Sequence, residues 1–251
     1  MDARKLNEKE YHDKVFSDGT RETVAKYYTI AAESRRIYRA YLETQCPGKR
    51  ALEYGCGPES YAFVMARKGA QVTGIDISEV AIEEVKKLAL KEEAGKNTNF
   101  LVMDAEALDF PDQEFDLICG TGILHHLHLD RAYGELARTL KPDGSAIFVE
   151  PLGHNPVIRL YRALTPRLRT ADEHPLLMRD LREARRHFGN MKITYLHLFC
   201  LLAVPFRRTP IFPRLLGLLE RLDRWVFKTL PFIRRYAWMM VVIFREPRRK
   251  G

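Results

Sequence analysis

Between residues 50 and 150 the sequence alternates short apolar runs with longer amphipathic stretches. Short apolar runs are typical of strands buried on both faces, and amphipathic stretches are typical of helices that cover a sheet. Their alternation predicts βαβ units with right-handed crossovers and a parallel sheet between two helical layers. The predicted strands are Arg50–Tyr54, Gln71–Ile75, Thr98–Met103, Phe115–Gly120 and Ser145–Glu150; the predicted helices are Tyr61–Lys68, Val80–Ala94 and Asp130–Leu140.

The flanking segments are predicted to be mainly helical. Residues 1–48 are polar with interspersed tyrosines and end at Pro47-Gly48, which predicts an N-terminal helical cap or lid. Residues 49–251 are predicted to form one domain, with a basic amphipathic helical insert at residues 205–236. The elements predicted after Glu150 are the helices Asn155–Leu168, Leu177–Phe188 and Pro213–Leu230, and the strands Met191–Val204 and Ala237–Phe244.

The size and composition predict a single domain in a reducing compartment. A chain of 251 residues, 46% of them hydrophobic, can bury one full α/β core. The four cysteines have neither metal-site nor disulfide spacing, so no metal is expected and the cytoplasm is the expected location. The charged start predicts no signal peptide, and no apolar run reaches the roughly 18 residues that cross a bilayer.

Charge is distributed unevenly along the chain. Residues 151–251 hold 21 Lys and Arg against 7 Asp and Glu, whereas residues 1–150 hold 20 against 26. A basic C-terminal portion predicts an anionic surface or substrate nearby, and a solvated arginine-rich surface is the alternative.

A glycine loop, Glu53-Tyr54-Gly55-Cys56-Gly57-Pro58-Glu59-Ser60, follows the first predicted strand. Glycines are needed where a chain leaves a strand, turns sharply and passes close to a ligand. A dinucleotide fingerprint would have a third glycine at residue 60, and the serine there argues against a pyrophosphate on the helix N-terminus. Glu53, just before the first glycine, can help to hold a cationic ligand directly or through water.

Three more motifs follow the later strands. Asp76 ends the second strand, Asp104-Ala105 follows the third, and Leu140–Gly144 reads Leu-Lys-Pro-Asp-Gly, a predicted turn before the fifth. One such motif is weak, but four in order at this spacing are specific. Over roughly residues 48–150 the chain resembles the class I S-adenosylmethionine-dependent methyltransferases of the broad small-molecule group.

This resemblance implies a fold and a cofactor. The fold is α/β: a single Rossmann-like, seven-stranded, mostly parallel sheet with helices on both faces, an N-terminal helical cap and a helical insert before the last strand. The cofactor is S-adenosylmethionine, which carries an ammonium and a sulfonium, and the product is S-adenosylhomocysteine. Open α/β sheets bind ligands at the carboxyl ends of adjacent strands, where all these motifs lie.

The resemblance also implies roles for single residues. Asp76 would accept both ribose hydroxyls, and Asp104 and the Ala105 N–H would bind the adenine. The Gly120 carbonyl would face the ammonium, and an N-terminal lid makes Tyr28 a candidate contact to the methionine end. The residues predicted to bind the cofactor are Glu53, Gly55, Cys56, Gly57, Asp76, Ile77, Asp104, Ala105, Gly120 and Tyr28.

The loop departs from the family pattern at Glu59, where many relatives have a third glycine. The favoured interpretation is that Pro58-Glu59-Ser60 begins the following helix, because proline and glutamate suit a first turn.

Histidines and a glutamate follow the fourth and fifth strands and face the expected acceptor. A hydroxyl acceptor needs a base, and histidine titrates closest to neutrality. Packing is the competing role for the histidines, and their spacing specifies no metal site. The predicted catalytic residues are His126, His125, His154 and Glu150, with His128 in the same stretch.

The helix predicted at Pro213–Leu230 carries apolar residues at helical spacing and a basic side, as an interfacial helix does. Three roles stay open for it: a lid or cover of the domain's own core, a homodimer face, or docking on an anionic membrane. The apolar positions are Leu215, Leu218, Leu219, Leu222, Trp225 and Val226, and the basic ones are Arg214, Arg221, Arg224 and Lys228.

The sequence therefore predicts methyl transfer to a small or lipophilic acceptor, at oxygen if a histidine serves as base. The first alternative is an N- or C-methyltransferase of a membrane-associated lipid or natural product. The second is an RNA methyltransferase or a non-catalytic, methyltransferase-like binding protein. Nucleic acid is disfavoured because no Asn-Pro-Pro-Tyr type motif follows the fourth strand and no RNA-binding module is evident.

Overall fold

The computed structural model describes residues 3–18, 29–165 and 174–249. The helices are α1 (Ala3–Asp18), α2 (Ala32–Gln45), α3 (Ala62–Ala66), α4 (Glu79–Ala89), α5 (Leu129–Thr139), α6 (Pro156–Leu164), α7 (Met178–His187) and α8 (Phe212–Thr229). The strands are β1 (Arg50–Tyr54), β2 (Gln71–Asp76), β3 (Thr98–Val102), β4 (Phe115–Thr121), β5 (Leu140–Pro151), β6 (Phe188–Leu196) and β7 (Met239–Pro247). Short 3₁₀ segments lie at Glu93–Asn97, Leu124–His126, Phe199–Phe206 and Pro231–Tyr236.

The strands form one sheet in the order β3-β2-β1-β4-β5-β7-β6. The first five strands are parallel, and β7 runs antiparallel to both β5 and β6. The strand order reverses between β1 and β4, which is where open α/β sheets form their ligand crevice. The predicted seven-stranded, mostly parallel sheet is confirmed.

Apolar side chains cover both faces of the sheet. One core cluster joins the sheet to α2, α3, α4 and α8, and the other joins it to α5 and α7. Four of the five residues of β1 are buried, as expected for the central strand of a sheet with two helical layers. Within the described residues, no helix combines the length and the apolar character that crossing a membrane requires.

Several helices begin at a side chain that accepts hydrogen bonds from the first turn. Ser78 Oγ accepts from the Ala81 N–H at the start of α4 (3.1 Å). Asn155 Oδ1 accepts from Val157 and Ile158 at the start of α6, which also has Pro156 in its first turn. Such caps satisfy N–H groups that the helix itself leaves unpaired.

Several predicted boundaries were wrong, among them the end of the helix predicted at Val80–Ala94, which is Ala89 in α4. The strand predicted at Met191–Val204 ends at Leu196, because His197 has a positive φ of 63°. The Asp223 carboxylate then accepts hydrogen bonds from the N–H groups of residues 198 and 199, where the 3₁₀ segment starts. The turn predicted at Leu140–Gly144 belongs to β5, which pairs with β4 from Leu140 through an irregular register. Pro58–Ser60 do not begin a helix, since α3 begins at Ala62.

Candidate cofactor and acceptor site

The glycine loop lies between β1 and α3, at the carboxyl edge of the sheet. Gly55 and Gly57 have positive φ values of 60° and 47°, which favour glycine. A Cβ on Gly55 would also lie 2.9 Å from Cδ1 of Ile123, so the chain passes close to the end of β4. Between the glycines, Cys56 is buried and its N–H donates to the Ile75 carbonyl of β2 (3.0 Å). The loop is therefore a tight turn in which a side chain on Gly55 would collide with Ile123.

The Glu53 carboxylate holds the loop to the start of α3. It accepts hydrogen bonds from Ser60 Oγ, from the Tyr61 N–H (2.8 Å) and from the Ala62 N–H (3.0 Å). Burial raises the pKa of Glu53 to about 7, even though these three donors lower it. The predicted contact between Glu53 and a cationic ligand stays a prediction, and capping α3 is a role that the motif alone did not indicate. Glu59, three residues past the loop's cysteine, is exposed.

Asp76 joins the glycine loop to the turn before α4. Its Oδ2 accepts from the Gly57 N–H (3.1 Å) and its Oδ1 accepts from the Ser78 N–H (3.0 Å). The side chain is half-buried at the end of β2, with Ile77 half-buried beside it. Two backbone donors thus hold the carboxylate that is predicted to bind the ribose.

Asp104 follows β3 and is already paired with α1. Its Oδ2 lies 2.6 Å from Nζ of Lys5, and its Oδ1 accepts from the Glu106 N–H (2.9 Å). Lys5 also lies 3.0 Å from the buried carboxylate of Glu106, which Arg4 contacts as well. Burial acts to lower the pKa of Lys5, but the two carboxylates raise it above its ordinary value. Ala105, between Asp104 and Glu106 in the sequence, is buried.

The rest of α1 contacts the turns that follow β2 and β4. Lys9 pairs with Glu79 at the start of α4 (2.7 Å), and Glu8 Oε2 lies 3.1 Å from Nδ1 of His126. The Arg4 guanidinium donates to the His126 carbonyl (2.5 Å). Through these ion pairs α1 lies across the carboxyl edge, beside the residues predicted to bind a cofactor.

His125 and Glu150 form a buried pair between the ends of β4 and β5. His125 Nδ1 lies 2.7 Å from Oε2 of Glu150, and the other oxygen of Glu150 accepts from the Ile123 and Leu124 N–H groups (2.9 and 2.8 Å). In the neutral tautomer that donates its Nδ1–H to the Glu150 carboxylate, Nε2 is the acceptor nitrogen of the His125 ring. A histidine oriented in this way has the arrangement of a general base.

The other candidate histidines have different partners. The His126 ring is 4.2 Å from that of His125, centroid to centroid, and contacts α1 through Glu8. The His128 N–H donates to the buried Glu106. His154 Nε2 lies 3.4 Å from the Met178 N–H at the start of α7, and burial, together with the charge of Arg235, lowers its pKa. The structure therefore brings His125, His126 and Glu150 together and places His154 against α7.

Comparison with known proteins agrees with this geometry. Residues 52–148 match the family described as "Methyltransferase domain". The chain is 40% identical over 111 residues to aklanonic acid methyltransferase DauC of Streptomyces sp. (strain C5), covering 42% of this chain and 49% of that protein. It is 35% identical over 111 residues to the ubiquinone biosynthesis O-methyltransferase of Coxiella burnetii, covering 43% and 47%. The matched residues are thus similar to methyltransferase domains, and they make up less than half of this chain.

A solved structure shares the fold of this chain across most of its length. It is Haemonchus contortus phosphoethanolamine N-methyltransferase 2 in complex with S-adenosyl-L-methionine, with a TM-score of 0.64 at 18% identity, covering 94% of this chain and 60% of that one. At that identity the likeness concerns the fold. The chain spans about half the length of the curated relatives that it matches.

The sequence patterns did not indicate the α1 residues that reach the candidate site. Arg4, Lys5 and Glu8 contact residues about 100 or more positions away, and on their own helix they form a charged pattern typical of a solvated surface. Glu106 was missed as well, although it stands two residues after Asp104. Tyr28, the predicted contact to the methionine end, lies outside the described residues.

The buried carboxyl of Glu53 should make this protein less stable as the pH rises. The unfolded chain releases the Glu53 proton near the ordinary pKa of 4.5, whereas the folded chain releases it near 7. The folded state binds the proton more tightly, so this contribution to stability is complete below pH 4.5 and is lost as the pH rises through 7. We expect it to lower the free energy of unfolding by ~3 kcal/mol across that interval.

The variant Glu53→Gln isolates this effect, because the amide keeps the shape of the side chain and does not titrate. Urea unfolding of both proteins between about pH 4.5 and 7.5 measures how the free energy of unfolding of each protein changes with pH. The variant should have the flatter pH profile whatever its absolute stability, and equal slopes in the two proteins would contradict the prediction.

Proposed function

We propose that this chain transfers the methyl group of S-adenosylmethionine to a hydroxyl of a small or lipophilic acceptor, with His125 as the general base. The observation that carries the proposal is the 2.7 Å contact between His125 and Glu150 at the ends of β4 and β5. Strand β4 lies next to β1, whose carboxyl end carries the glycine loop, and β5 lies on the other side of β4. The base for the acceptor hydroxyl and the loop for the methyl donor would then lie at the same edge of the sheet.

The residues present fit the cofactor. Gly55 and Gly57 give the loop the positive φ values of a tight turn, and Asp76 offers a carboxylate that two N–H groups already hold. Asp76 would bind the ribose, Asp104 and Ala105 the adenine, and Gly120 the ammonium. The remaining predicted contacts are Glu53, Cys56 and Ile77. When bound, the cofactor supplies an electrophilic methyl group on a sulfonium.

The protein's own part is positional and basic. Methyl transfer in line requires the acceptor oxygen, the methyl group and the sulfur to be aligned, which is a contribution of orientation. Nε2 of His125 would take the hydroxyl proton as the new bond forms. Glu150 acts as a positioning residue, because it fixes the ring through Nδ1 and is itself held by Ile123 and Leu124.

The names of the relatives support a small or lipophilic acceptor. One acts on aklanonic acid by its name, and the other is an O-methyltransferase of ubiquinone biosynthesis. Methylation at carbon or nitrogen is the alternative, and the histidine–glutamate pair favours oxygen because a neutral hydroxyl must lose its proton.

The test combines binding with turnover. Calorimetry should show that the chain binds S-adenosylmethionine, and labelled methyl groups should pass to hydroxylated aromatic and polyprenylated acceptors but not to the same molecules with the hydroxyl already methylated. Binding without transfer to any acceptor would support a binding protein instead. Transfer to the blocked acceptors would point to carbon or nitrogen.

The pairing of Lys5 with Asp104 leads to a further prediction. If Asp104 receives the adenine amino group, Lys5 competes for it, so Lys5→Ala should strengthen cofactor binding. We expect an increase in affinity of about 2- to 5-fold, the size of effect expected from a partly exposed ion pair. Calorimetry on both proteins measures it.

Lys9→Ala is the matched control for Lys5→Ala. It removes an ion pair from the same helix, but its partner Glu79 lies at the start of α4 and outside the predicted cofactor contacts. We expect no gain in affinity from it. Weaker binding by Lys5→Ala would mean that α1 closes over the cofactor as a lid rather than competing with it.

A further inference from the structure

The segment between β6 and β7 begins and ends at the edge of the sheet that carries the site. Leu196, the last residue of β6, pairs with Met239, the first residue of β7. Met239 pairs in turn with Pro151, the residue after Glu150. Residues 197–238 therefore leave the sheet and return to it beside the proposed base.

Helix α8, within this segment, has two separate apolar faces. One is buried against the domain through Leu219, Val226 and Phe227, and the buried Asp223 of that face caps the N–H groups of residues 198 and 199. This face is already covered by the domain's own core. The apolar stripe that the sequence indicated is thus split, and only part of it packs internally.

The second apolar face is exposed. Ile211, just before α8, and Leu218, Leu222 and Trp225 on it are 56%, 62%, 38% and 61% accessible. At 100° per residue these four positions fall within an arc of roughly 60°. The flanking 3₁₀ segments expose further large apolar side chains, namely Leu202, Phe206 and Phe232. A continuous apolar stripe of this kind on a helix surface marks an interaction site.

Basic side chains adjoin this stripe. On the helical wheel, Arg214, Arg221 and Lys228 occupy the next arc of roughly 40°, on the side away from the core. All three are exposed. Residues 198–236 contain eight Lys and Arg against two acidic residues, and one of those two is the buried Asp223. We call the exposed residues Ile211, Leu218, Leu222, Trp225, Arg214, Arg221 and Lys228 the α8 surface.

We propose that the α8 surface docks on an anionic lipid bilayer. Leucine and tryptophan enter the boundary between headgroups and acyl chains, while arginine and lysine contact the anionic headgroups. The charge of the segment is complementary to such a membrane and would repel a second copy of the same basic surface. The inference extends the proposed function, because it places the acceptor edge of the sheet at a membrane that can supply a lipophilic molecule.

Vesicle flotation of the full chain tests the proposal. At about 0.15 M salt the protein should float with phosphatidylcholine vesicles that contain about one third phosphatidylglycerol, and about tenfold less should float with phosphatidylcholine alone. About 1 M salt should weaken the binding. The chain has two tryptophans, and Trp238 is buried, so a blue shift of the emission on binding would report entry of Trp225 into the bilayer.

Substitutions then separate the apolar and basic parts of the α8 surface. Leu218→Ser with Trp225→Ser should reduce flotation about tenfold or more, and Arg214→Gln with Arg221→Gln should remove the preference for anionic vesicles. Leu90→Ser is the matched control, because Leu90 is 89% exposed but lies after α4, away from this surface. The control should float as the unaltered chain does.

Two results would overturn the proposal. One is the absence of flotation with anionic vesicles. The other is a dimer in lipid-free buffer that the Leu218 and Trp225 substitutions dissociate, since the occupant would then be a second copy. Cofactor binding by calorimetry involves no lipid, so its outcome distinguishes a failure of docking from a failure of the proposed function.

Discussion

Replacing His125 with alanine should lower kcat for methyl transfer by about 100- to 10,000-fold, the range that a positioned general base contributes. The physical reason is that the 2.7 Å contact between Nδ1 and Glu150 favours the neutral tautomer in which Nε2 is the basic nitrogen. Affinity for S-adenosylmethionine should change little, because no cofactor contact is assigned to His125. Steady-state kinetics with a hydroxylated acceptor and calorimetry with the cofactor measure the two quantities separately.

A second buried histidine serves as the matched control for this variant. His187 Nε2 lies 2.8 Å from Asp130 Oδ1, so it too is a histidine paired with a carboxylate, but it belongs to α7. His187→Ala should retain kcat per folded molecule. Equal losses in both variants would mean that His125 only supports the fold, and a loss of less than about tenfold in His125→Ala would exclude it as the base.

Glu150→Gln tests the positioning role. Glutamine keeps the size of the side chain but alters the hydrogen bond to Nδ1, so kcat should fall while KM for the acceptor stays close to that of the unaltered chain. An unchanged kcat would show that the ring of His125 does not depend on Glu150.

Substituting Asp76 with alanine should weaken S-adenosylmethionine binding by roughly 1 to 3 kcal/mol, or about 5- to 150-fold in Kd. The change removes the carboxylate proposed to accept the ribose hydroxyls. It also removes the acceptor for the Gly57 N–H, which loosens the glycine loop. Calorimetry at constant pH and salt measures the change in Kd.

Asp116→Ala is the matched control for Asp76→Ala. Asp116 is likewise a partly buried carboxylate that accepts from a backbone N–H, that of Arg50 (3.0 Å), but it stands near the start of β4, at the opposite edge of the sheet. We expect its effect on cofactor affinity to be small. An unchanged Kd in Asp76→Ala would show that the ribose assignment is wrong.

Local patterns were sufficient for most of the sheet. The apolar run of β1 was predicted at its observed bounds, and those of β2 and β4 within one residue, because a strand buried on both faces requires an unbroken apolar sequence. The prediction for Met191–Val204 failed because the residues from Phe199 onward are equally apolar but form a 3₁₀ segment. What stops the strand is the carboxylate of Asp223, which is about 25 residues away in sequence and therefore outside any local window.

In the candidate site, too, some features follow from the local sequence and others depend on tertiary contacts. Glycines with positive φ and carboxylates at strand ends are local requirements, so the positions of Gly55, Gly57, Asp76 and Asp104 could be read from the sequence. The sequence could not show which histidine contacts Glu150, because His125 and His126 are adjacent. The packing of the turn after β4 determines which ring faces β5.

The α/β architecture and the chemistry available at one edge of the sheet could be predicted from the sequence, because both depend on residue types at short, regular spacing. The contacts of those residues depend on the tertiary structure. It paired His125 rather than His126 with Glu150, set Lys5 of α1 on Asp104, and left Leu218 and Trp225 exposed while Leu219 and Val226 were buried. The physical reason is that contacts between residues distant in sequence depend on how whole elements pack, and residue spacing carries no record of that packing.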